Sequence, residues 1–413
     1  MARFAVLALL VALLLAGVCC GMDLVPRGPT EILKTEGGCI KQWEPDSALG
    51  HYAAAGAVEV TLEPQGVLLP RYMNTPSLLY VVEGSAMARL VTSLGPSNLH
   101  RLHQGDVVAV PEGFVLGVHN DGQDKFRALG VADLSNTRGK GAMNASIFFL
   151  FGNREDETLA PVINGFSKDV LAAAWNVDEA TVEKLLTSQK GAGIIKVEKK
   201  ESARAPAEPE PNTFFGDFSF NLEHTQAEVV TRGGSLNFVT KFKLPILETI
   251  GLSAAHTKLK PDALFAPTWS ANAHHIVYFT RGKGRIQVAG PGGKTVLDRA
   301  VGEGDLVVIP KHFPAAKLAA RAAPLEWVDV MTSPAPLSFF LAGANSVYKA
   351  FPFDVLVAGF NVDPEVEKKV LHARAHEAMI LTRPKKSSVL SAADVEKAAS
   401  DFFDHAVKGF FDM

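Results

Sequence analysis

The side chains of this sequence that could do chemistry are two neighbouring histidines, an isolated cysteine and an asparagine in a glycosylation sequon. His274 and His275 lie in a segment rich in β-branched and aromatic residues. On a strand, neighbouring side chains point to opposite faces, so these two histidines are badly placed to bind one metal ion together. We expect one of them to be buried and hydrogen-bonded and the other to lie at the surface.

The cysteines offer little redox chemistry. Cys19 and Cys20 lie near the N-terminus, where a predicted signal peptide ends, and Cys39 is the third. Removal of the signal peptide would leave one thiol, which cannot form an internal disulfide. No histidine or acid lies at a spacing that would make Cys39 a catalytic nucleophile. We therefore predict an unpaired thiol, with a bond to another chain as the alternative.

The sequon Asn144-Ala-Ser146 is a candidate glycosylation site if the chain enters the secretory pathway. The apolar run at 147–151 follows it directly, so burial of the sequon is the alternative. The sequence contains no Gly-x-Ser-x-Gly elbow, no P-loop and no dinucleotide-binding fingerprint. Its net charge of -3 gives no reason to expect a nucleic acid partner. Because these motifs are missing, we predict no catalytic residue and no cofactor.

The side chains must be positioned by a unit of strands followed by helices. In the second half, Ile276–Phe279, Arg285–Ala289 and Leu306–Ile309 are short runs rich in β-branched and aromatic residues. Turn residues bound these runs, so we predict separate strands with a tight connection at Gly282-Lys283-Gly284. Pro310 ends the last strand, because proline cannot donate a hydrogen bond to a sheet.

The same pattern occurs about two hundred residues earlier. The matching segments are Tyr80–Gly84 with Tyr278–Gly282, Gly105–Pro111 with Gly304–Pro310, Pro70–Tyr72 with Pro267–Trp269, and Phe166–Asp178 with Phe351–Asp363. The last pair has helical periodicity, and Asp178 is predicted to cap the helix that follows it. Because the matches recur in the same order, the chain is a duplication of one unit.

These residues resemble the bicupins, and in particular the legumin-type (11S) seed storage globulins and their shorter cupin relatives. The resemblance rests on the segments 68–84, 244–256, 266–288 and 302–313. It implies a mainly β fold with two tandem cupin domains, which are jelly-roll β-barrels, each followed by a small helical extension. The long acidic and Gln-rich insertions of many such proteins are missing, and so is an Asn-Gly cleavage bond at 214–223.

Composition and periodicity then divide the chain. We predict a signal peptide at 1–21, an N-terminal cupin barrel at 30–165, a helical extension at 166–195, a flexible linker at 196–213, a C-terminal cupin barrel at 214–346, a second helical extension at 347–375 and a tail at 376–413. The signal peptide has Arg3 before an apolar run that is too short to span a membrane comfortably. The linker is charged and rich in proline. The tail contains an amphipathic helix at 392–411, whose mixed charge favours docking on protein over a membrane surface.

Metal-dependent cupins hold their ion with three histidines and one glutamate, and the resemblance locates those positions here. In the first barrel the positions hold Tyr72, Asn74, Leu78 or Leu79, and Leu116. In the second barrel they hold Trp269, Ala271, His275 or Ile276, and Ala315. At most one possible ligand remains in each barrel, so we predict no metal site.

The same positions define the interior of each barrel, which is either a packed core or a ligand cavity. We predict a packed core in both barrels. The alternative is a small-ligand pocket, for which the candidate residues are Tyr72, Asn74, Leu116, Trp269, His275 and Ala315.

The resemblance implies a non-enzymatic seed-storage-type globulin, a nutrient reservoir that assembles through its barrels and helical arms. We expect a homo-oligomer, in particular a trimer, with no nucleic acid partner and no membrane contact in the mature form. The alternative function is a small-ligand-binding or vestigial-enzyme cupin. The expected route is the secretory pathway, ending in a storage vacuole or outside the cell.

Overall fold

Short antiparallel strands make up most of both repeats. The computed structural model describes Leu24 and residues 28–44, 47–135, 145–197 and 214–383. The strands of the first half are β1 Thr30–Thr35, β2 Gly38–Trp43, β3 Ala55–Leu62, β4 Gly66–Met73, β5 Ser77–Glu83, β6 Ser85–Thr92, β7 Gly95–Pro96, β8 His100–His103, β9 Asp106–Val110, β10 Val115–His119, β11 Phe126–Asp133, β12 Ile147–Phe149 and β13 Ile194–Lys196. The strands of the second half are β14 Ser219–Asn221, β15 Val229–Thr231, β16 Gly234–Val239, β17 Ser253–Leu259, β18 Ala263–Ser270, β19 His275–Ala289, β20 Thr295–Gly302, β21 Leu306–Ile309, β22 Ala315–Ala319, β23 Leu325–Met331, β24 Ser338–Phe340 and β25 Ile380–Thr382.

A pair of helices follows each set of strands, and one short helix precedes β17. The helices are α1 Lys168–Trp175, α2 Glu179–Thr187, α3 Leu247–Ile250, α4 Phe353–Phe360 and α5 Pro364–Ala373. The Asp178 carboxylate accepts a hydrogen bond from the Thr181 amide at 2.7 Å, which confirms the predicted N-cap of α2. Asp363 caps α5 in the same way, through the Glu365 amide at 2.8 Å.

Two antiparallel sheets enclose the core of the first repeat. One sheet has the strand order β1-β2-β3-β11-β5-β9-β14. The other has the order β12-β4-β10-β6-β7, with β13 beside β4 and β8 beside β6. The enclosed core takes Leu79 and Val108 from the first sheet and Leu90 and Leu116 from the second. The predicted mainly β architecture is confirmed.

One strand crosses the predicted boundary between the repeats. β14 follows the predicted linker in sequence, yet it pairs with β9 of the first barrel, with Phe220 opposite Val107. Phe215, just before it, stacks on the His100 ring with the ring centroids 4.7 Å apart. Residues next to β14 therefore help to close the first barrel, although they lie within the predicted range of the second.

The strand β19 corrects the predicted strand break at Gly282-Lys283-Gly284. The structure has one strand through this segment, which pairs with β21 and β23 before the glycines and with β20 and β22 beyond them. Gly282 has φ +84, a backbone conformation that favours glycine, and a Cβ atom there would lie 1.9 Å from the Pro324 carbonyl oxygen. The glycines bend the strand from one side of the barrel to the other, so the turn prediction was wrong.

The apolar runs in the sequence are continuous because both faces of these strands are buried. On β19, Val277 and Phe279 point into the second barrel, whereas Ile276 and Tyr278 point to a separate core. This separate core lies between the barrels, and we call it the shared core. Both barrels belong to one compact unit that ends at Leu381. The shared core draws on both barrels in equal measure, for example Trp43, Leu78 and Tyr80 from the first half and Leu252, Tyr278 and Val330 from the second.

Two tyrosines, which the repeat places at equivalent positions, donate hydrogen bonds to glutamates beside this core. The Tyr278 hydroxyl donates to Glu59 Oε2 at 2.6 Å, and both groups are buried. The Tyr80 hydroxyl donates to Glu223 Oε1 at 3.1 Å. Glu223 also accepts a hydrogen bond from Lys258 at 3.0 Å, whereas the nearest cation to Glu59 is the Arg127 guanidinium at 3.8 Å. Glu59 therefore depends more on its tyrosine than Glu223 does.

His256 is a buried titratable group beside the second of these bonds. Its Nδ1 lies 4.0 Å from Glu223 Oε1, and its ring centroid is 6.0 Å from that of Tyr80. Burial lowers the pKa of His256 to about 4; the Glu223 charge opposes this shift and the Lys258 charge adds to it. The imidazole is therefore neutral at neutral pH, which avoids an additional buried charge in the contact between the barrels.

Removing the Tyr278 hydroxyl should destabilise the protein more than removing the Tyr80 hydroxyl. Tyr278→Phe leaves a buried carboxylate without its closest donor, which costs about 1–3 kcal/mol of unfolding free energy. Tyr80→Phe leaves Glu223 its bond from Lys258, so we expect about 1 kcal/mol or less. Urea denaturation of the two variants, compared with the unsubstituted protein, measures both changes. An equal or larger loss in Tyr80→Phe would contradict the proposed dependence of Glu59 on Tyr278.

Acidification should destabilise the protein through His256. Between pH 6.5 and about 4 the unfolded chain binds a proton at this residue and the folded chain does not, so the unfolding free energy falls as pH falls through that window. The full loss from this one group is roughly 3 kcal/mol, and it is absent above the window. Urea denaturation at several pH values should show a shallower decline in His256→Gln. The exposed His103→Gln serves as control and should keep the unsubstituted profile; identical profiles for all three proteins would exclude this role of His256.

Candidate functional site

A cavity of about 210 Å³ lies inside the second barrel. Aromatic side chains form much of its wall, among them Phe265, Trp269, Phe313, Trp327 and Phe340. Phe265 meets Trp327 edge to face, with the ring centroids 5.8 Å apart. The strands β16, β17, β18, β22 and β23 supply most of the wall. On β22 and β23 the lining residues alternate along the strand, because every second side chain points inward.

Three polar side chains meet in this apolar cavity. Both carboxylate oxygens of Asp329 lie 3.0 Å from His275 Nδ1. The Lys317 ammonium lies 3.9 Å from Asp329 Oδ2, and it stands over the Trp327 ring at 5.0 Å and the Phe265 ring at 5.5 Å from the ring centroids. Positive charge over an aromatic face is stabilised by the ring quadrupole. The barrel therefore holds a lysine, a carboxylate and a histidine in a largely aromatic cavity.

The alternation of the strands explains why charged residues are found here. On β22, Ala315, Lys317 and Ala319 are buried and point inward. On β23, Trp327 and Asp329 share the inward face. The small alanines leave room beside a long side chain, so the Lys317 stem fits where a larger apolar residue would fill the barrel.

Lys317 is the most deeply buried of these three polar side chains. Only 3% of its surface is exposed. Burial lowers the pKa of its ammonium, and the Asp329 charge opposes this shift. Among the residues that the structure describes, its Nζ atom has an ion pair at 3.9 Å and two ring contacts but donates no hydrogen bond.

The structure places the six predicted pocket residues in two separate groups. Trp269, His275 and Ala315 line the cavity of the second barrel. The other three belong to the first barrel and are Tyr72, which stacks on Phe148 with ring centroids 4.8 Å apart, Asn74, whose side-chain oxygen accepts from the Ser146 amide at 2.7 Å, and Leu116, which is buried in the barrel core. Sequence reasoning missed Lys317 and Asp329, although their inward register on two apolar strands was a signal.

The remaining predicted features are only partly visible. His274 accepts a long hydrogen bond from the Lys311 amide at 3.3 Å, and Cys39 on β2 is half-buried and free. The candidate glycosylation residue Asn144, the signal peptide at 1–21 and the tail helix at 392–411 lie outside the described residues, as does the linker from 198 to 213. Within the described part of the chain, no helix is long and apolar enough to cross a membrane. The same part contains no cluster of three or more His, Cys, Asp or Glu side chains suited to a metal ion.

Two antiparallel barrels, each followed by a helix pair, define the class of protein as a bicupin. The profile of the cupin family matches this chain twice, at residues 26–183 and 220–368. The chain therefore belongs to the cupin family, and the two matches confirm the predicted duplication.

Named relatives narrow the class to the legumin type. The 11S globulin seed storage protein Ana o 2.0101 of Anacardium occidentale is 27% identical in a match that covers 83% of this chain and 88% of that protein. Procruciferin, the 11S globulin of Brassica napus, has a similar structure with a TM-score of 0.80 and 25% identity, covering 89% of this chain and 99% of that one. A structure described as revealing an auxin binding site, the 11S globulin of Wrightia tinctoria, matches with a TM-score of 0.78 and 28% identity over 87% of this chain and 94% of that one. The chain is a legumin-type bicupin with a non-enzymatic, seed-storage-type role.

Breaking the buried ion pair from its two sides should have unequal effects. Asp329→Ala leaves the buried Lys317 ammonium without its counter-charge, which costs about 3–5 kcal/mol of unfolding free energy. Lys317→Met removes the charge but keeps an apolar side chain of similar length, and Asp329 keeps His275 at 3.0 Å. We expect a much smaller loss for Lys317→Met, and a double variant more stable than Asp329→Ala alone. Thermal and urea denaturation of the three variants measures these differences. If Lys317→Met lost as much unfolding free energy as Asp329→Ala, Asp329 would not be the counter-charge that the buried Lys317 ammonium requires.

Proposed function

We propose that this chain accumulates as a homotrimeric storage globulin, held together by the helical extensions that follow each barrel. The observation that carries the proposal is the apolar surface of those helices. In the first extension Val170, Trp175 and Leu185 are exposed, and in the second Val355, Phe360, Val366 and Val370 are exposed. Folded monomers rarely expose contiguous apolar patches, so these faces favour association.

The two exposed faces are related by the repeat. Val170 and Trp175 in the first extension correspond to Val355 and Phe360 in the second, and both helix pairs present these residues to solvent. The helices of the first pair bury Leu171, Val182 and Leu186 against each other. The exposed apolar residues of this pair are therefore not needed for the packing of one helix on the other. A subunit with a similar apolar helix face in each half can form head-to-tail contacts with its neighbours, and such contacts can close into a ring. A trimer is the ring that the legumin-type resemblance implies.

The proposed route is the secretory pathway, with a storage vacuole or the cell exterior as the destination. It is supported by the charged and apolar layout of residues 1–21 and by relatives named as seed storage proteins. In this proposal the mature protein has no membrane or nucleic acid partner. Its residues serve packing and assembly, and the protein is a nutrient reservoir that is digested later. The charged, proline-rich linker predicted at 196–213 is the natural place for a first cut.

Charges placed on the apolar helix faces should separate the subunits. Val366 and Val370 lie one turn apart on α5, and 50% and 63% of their surfaces are exposed, so aspartates at both positions should not disturb the monomer core. We expect Val366→Asp/Val370→Asp, and separately Leu185→Asp, to shift the mass in solution from trimer to monomer. Light scattering after size-exclusion chromatography measures that mass.

The neighbouring charged residues provide the matched controls. Lys369→Glu on α5 and Lys184→Glu on α2 change charge on the same exposed helices without adding polarity to the apolar faces. These controls should remain trimeric. Aspartate variants that stay trimeric would exclude the helix faces as the contact, and a monomeric unsubstituted protein would overturn the proposed assembly itself.

A further inference from the structure

The Lys317 ammonium in the second barrel has hydrogen-bonding capacity that the described residues do not use. An ammonium carries three donors, and a buried charge is costly unless it is both paired and hydrogen-bonded. Its ion pair with Asp329 at 3.9 Å is too long for a hydrogen bond. Its side chain lines the cavity. An acceptor for these donors therefore has to come from within the cavity.

Two hydroxyl groups of the cavity wall are already engaged. The Thr268 hydroxyl donates to the Phe339 carbonyl at 2.7 Å, and the Ser270 hydroxyl donates to the Leu337 carbonyl at 3.3 Å. Both oxygens of Asp329 lie within hydrogen-bond distance of His275. Lys317 is therefore a cationic donor that faces a largely apolar cavity. Its counter-ion, Asp329, also interacts with His275.

The size and walls of the cavity limit what can bind there. An apolar cavity of roughly 150 Å³ takes up a benzene molecule. The cavity of about 210 Å³ therefore has room for one or two fused rings with a small substituent. Aromatic walls such as Trp269 and Phe340 favour a flat ring, which can stack or meet them edge to face.

We propose that the second barrel binds a small, flat aromatic carboxylic acid as its anion, with the carboxylate on Lys317 and the ring between the aromatic walls. The carboxylate supplies acceptors for a charge-assisted hydrogen bond, which is stronger than a bond between neutral groups. A neutral ring would leave the ammonium without an acceptor, and a cationic ligand would be repelled by it. Asp329 and His275 act as positioning residues that hold the lysine at the cavity wall.

A pair of matched probes tests this proposal. 2-Naphthoate and 2-naphthamide have the same ring system, but only the first carries a negative charge at neutral pH. Isothermal titration calorimetry of the full-length protein should give a dissociation constant at least about tenfold lower for the acid than for the amide. In Lys317→Met the acid should lose this advantage. Lys283→Met removes an exposed lysine of the same barrel and should bind as the unsubstituted protein does.

A filled cavity provides the second variant. Ala315 lines the cavity and is buried, so Ala315→Leu should occupy the space of the ring while Lys317 stays in place. We expect this variant to bind neither probe, which also locates the binding in the second barrel. Should Lys317→Met fail to fold, the ratio of the two probes in the unsubstituted protein still decides the proposal.

Each remaining result overturns the proposal in a recognisable way. Binding of neither probe would mean that the cavity takes no aromatic ligand and that water satisfies Lys317. Equal binding of acid and amide would mean that the barrel accepts rings without using the lysine as an anchor. Unchanged binding in Ala315→Leu would place the site elsewhere. None of these results bears on the storage assembly, which is measured by the mass in solution.

Discussion

The buried contact between the two barrels is the constraint on which the rest of the structure depends. Tyr278 carries its hydroxyl across the shared core to Glu59 of the other barrel, at 2.6 Å. On either side of this bond, the strands of both repeats place alternate apolar residues against each other. These strands are therefore buried on both faces, and a shift by one residue would exchange the side chains that each core receives. The barrels hold each other in place, and the helix pairs then project apolar faces outward.

Duplication gave two similar barrels, but the side chains that face their interiors differ. Leu116 on β10 and Ala315 on β22 occupy equivalent positions, and both are buried. Leucine helps to pack the first barrel, whereas alanine leaves space beside Lys317 in the second. The cavity of the second barrel thus coincides with a small side chain at this position and with inward charges on β22 and β23. A storage role requires only the packed arrangement, so the cavity is an additional property of this chain.

Much of the fold was predictable from the sequence, and the failures have physical causes. The repeat, most strands and the Asp178 cap follow from local patterns that short-range physics determines. The continuity of β19 does not follow from the sequence, because a glycine such as Gly282 predicts a turn, whereas its positive φ here serves a bend within a strand. The sequence does not single out Lys317 and Asp329, because charged residues are usually exposed. Only the folded barrel shows that both side chains point inward and are buried. The pairing of β14 with β9 joins residues more than a hundred positions apart, which local patterns do not encode.

Differential scanning calorimetry of the full-length protein tests most directly whether the barrels form one folding unit through the shared core. Because neither barrel can bury its half of that core alone, unfolding one should expose the other. The account predicts a single transition, with a ratio of calorimetric to van't Hoff enthalpy no greater than one. Two resolved transitions, one for each barrel, would contradict it. They would show that each repeat is stable without the shared core and the hydrogen bond between Tyr278 and Glu59.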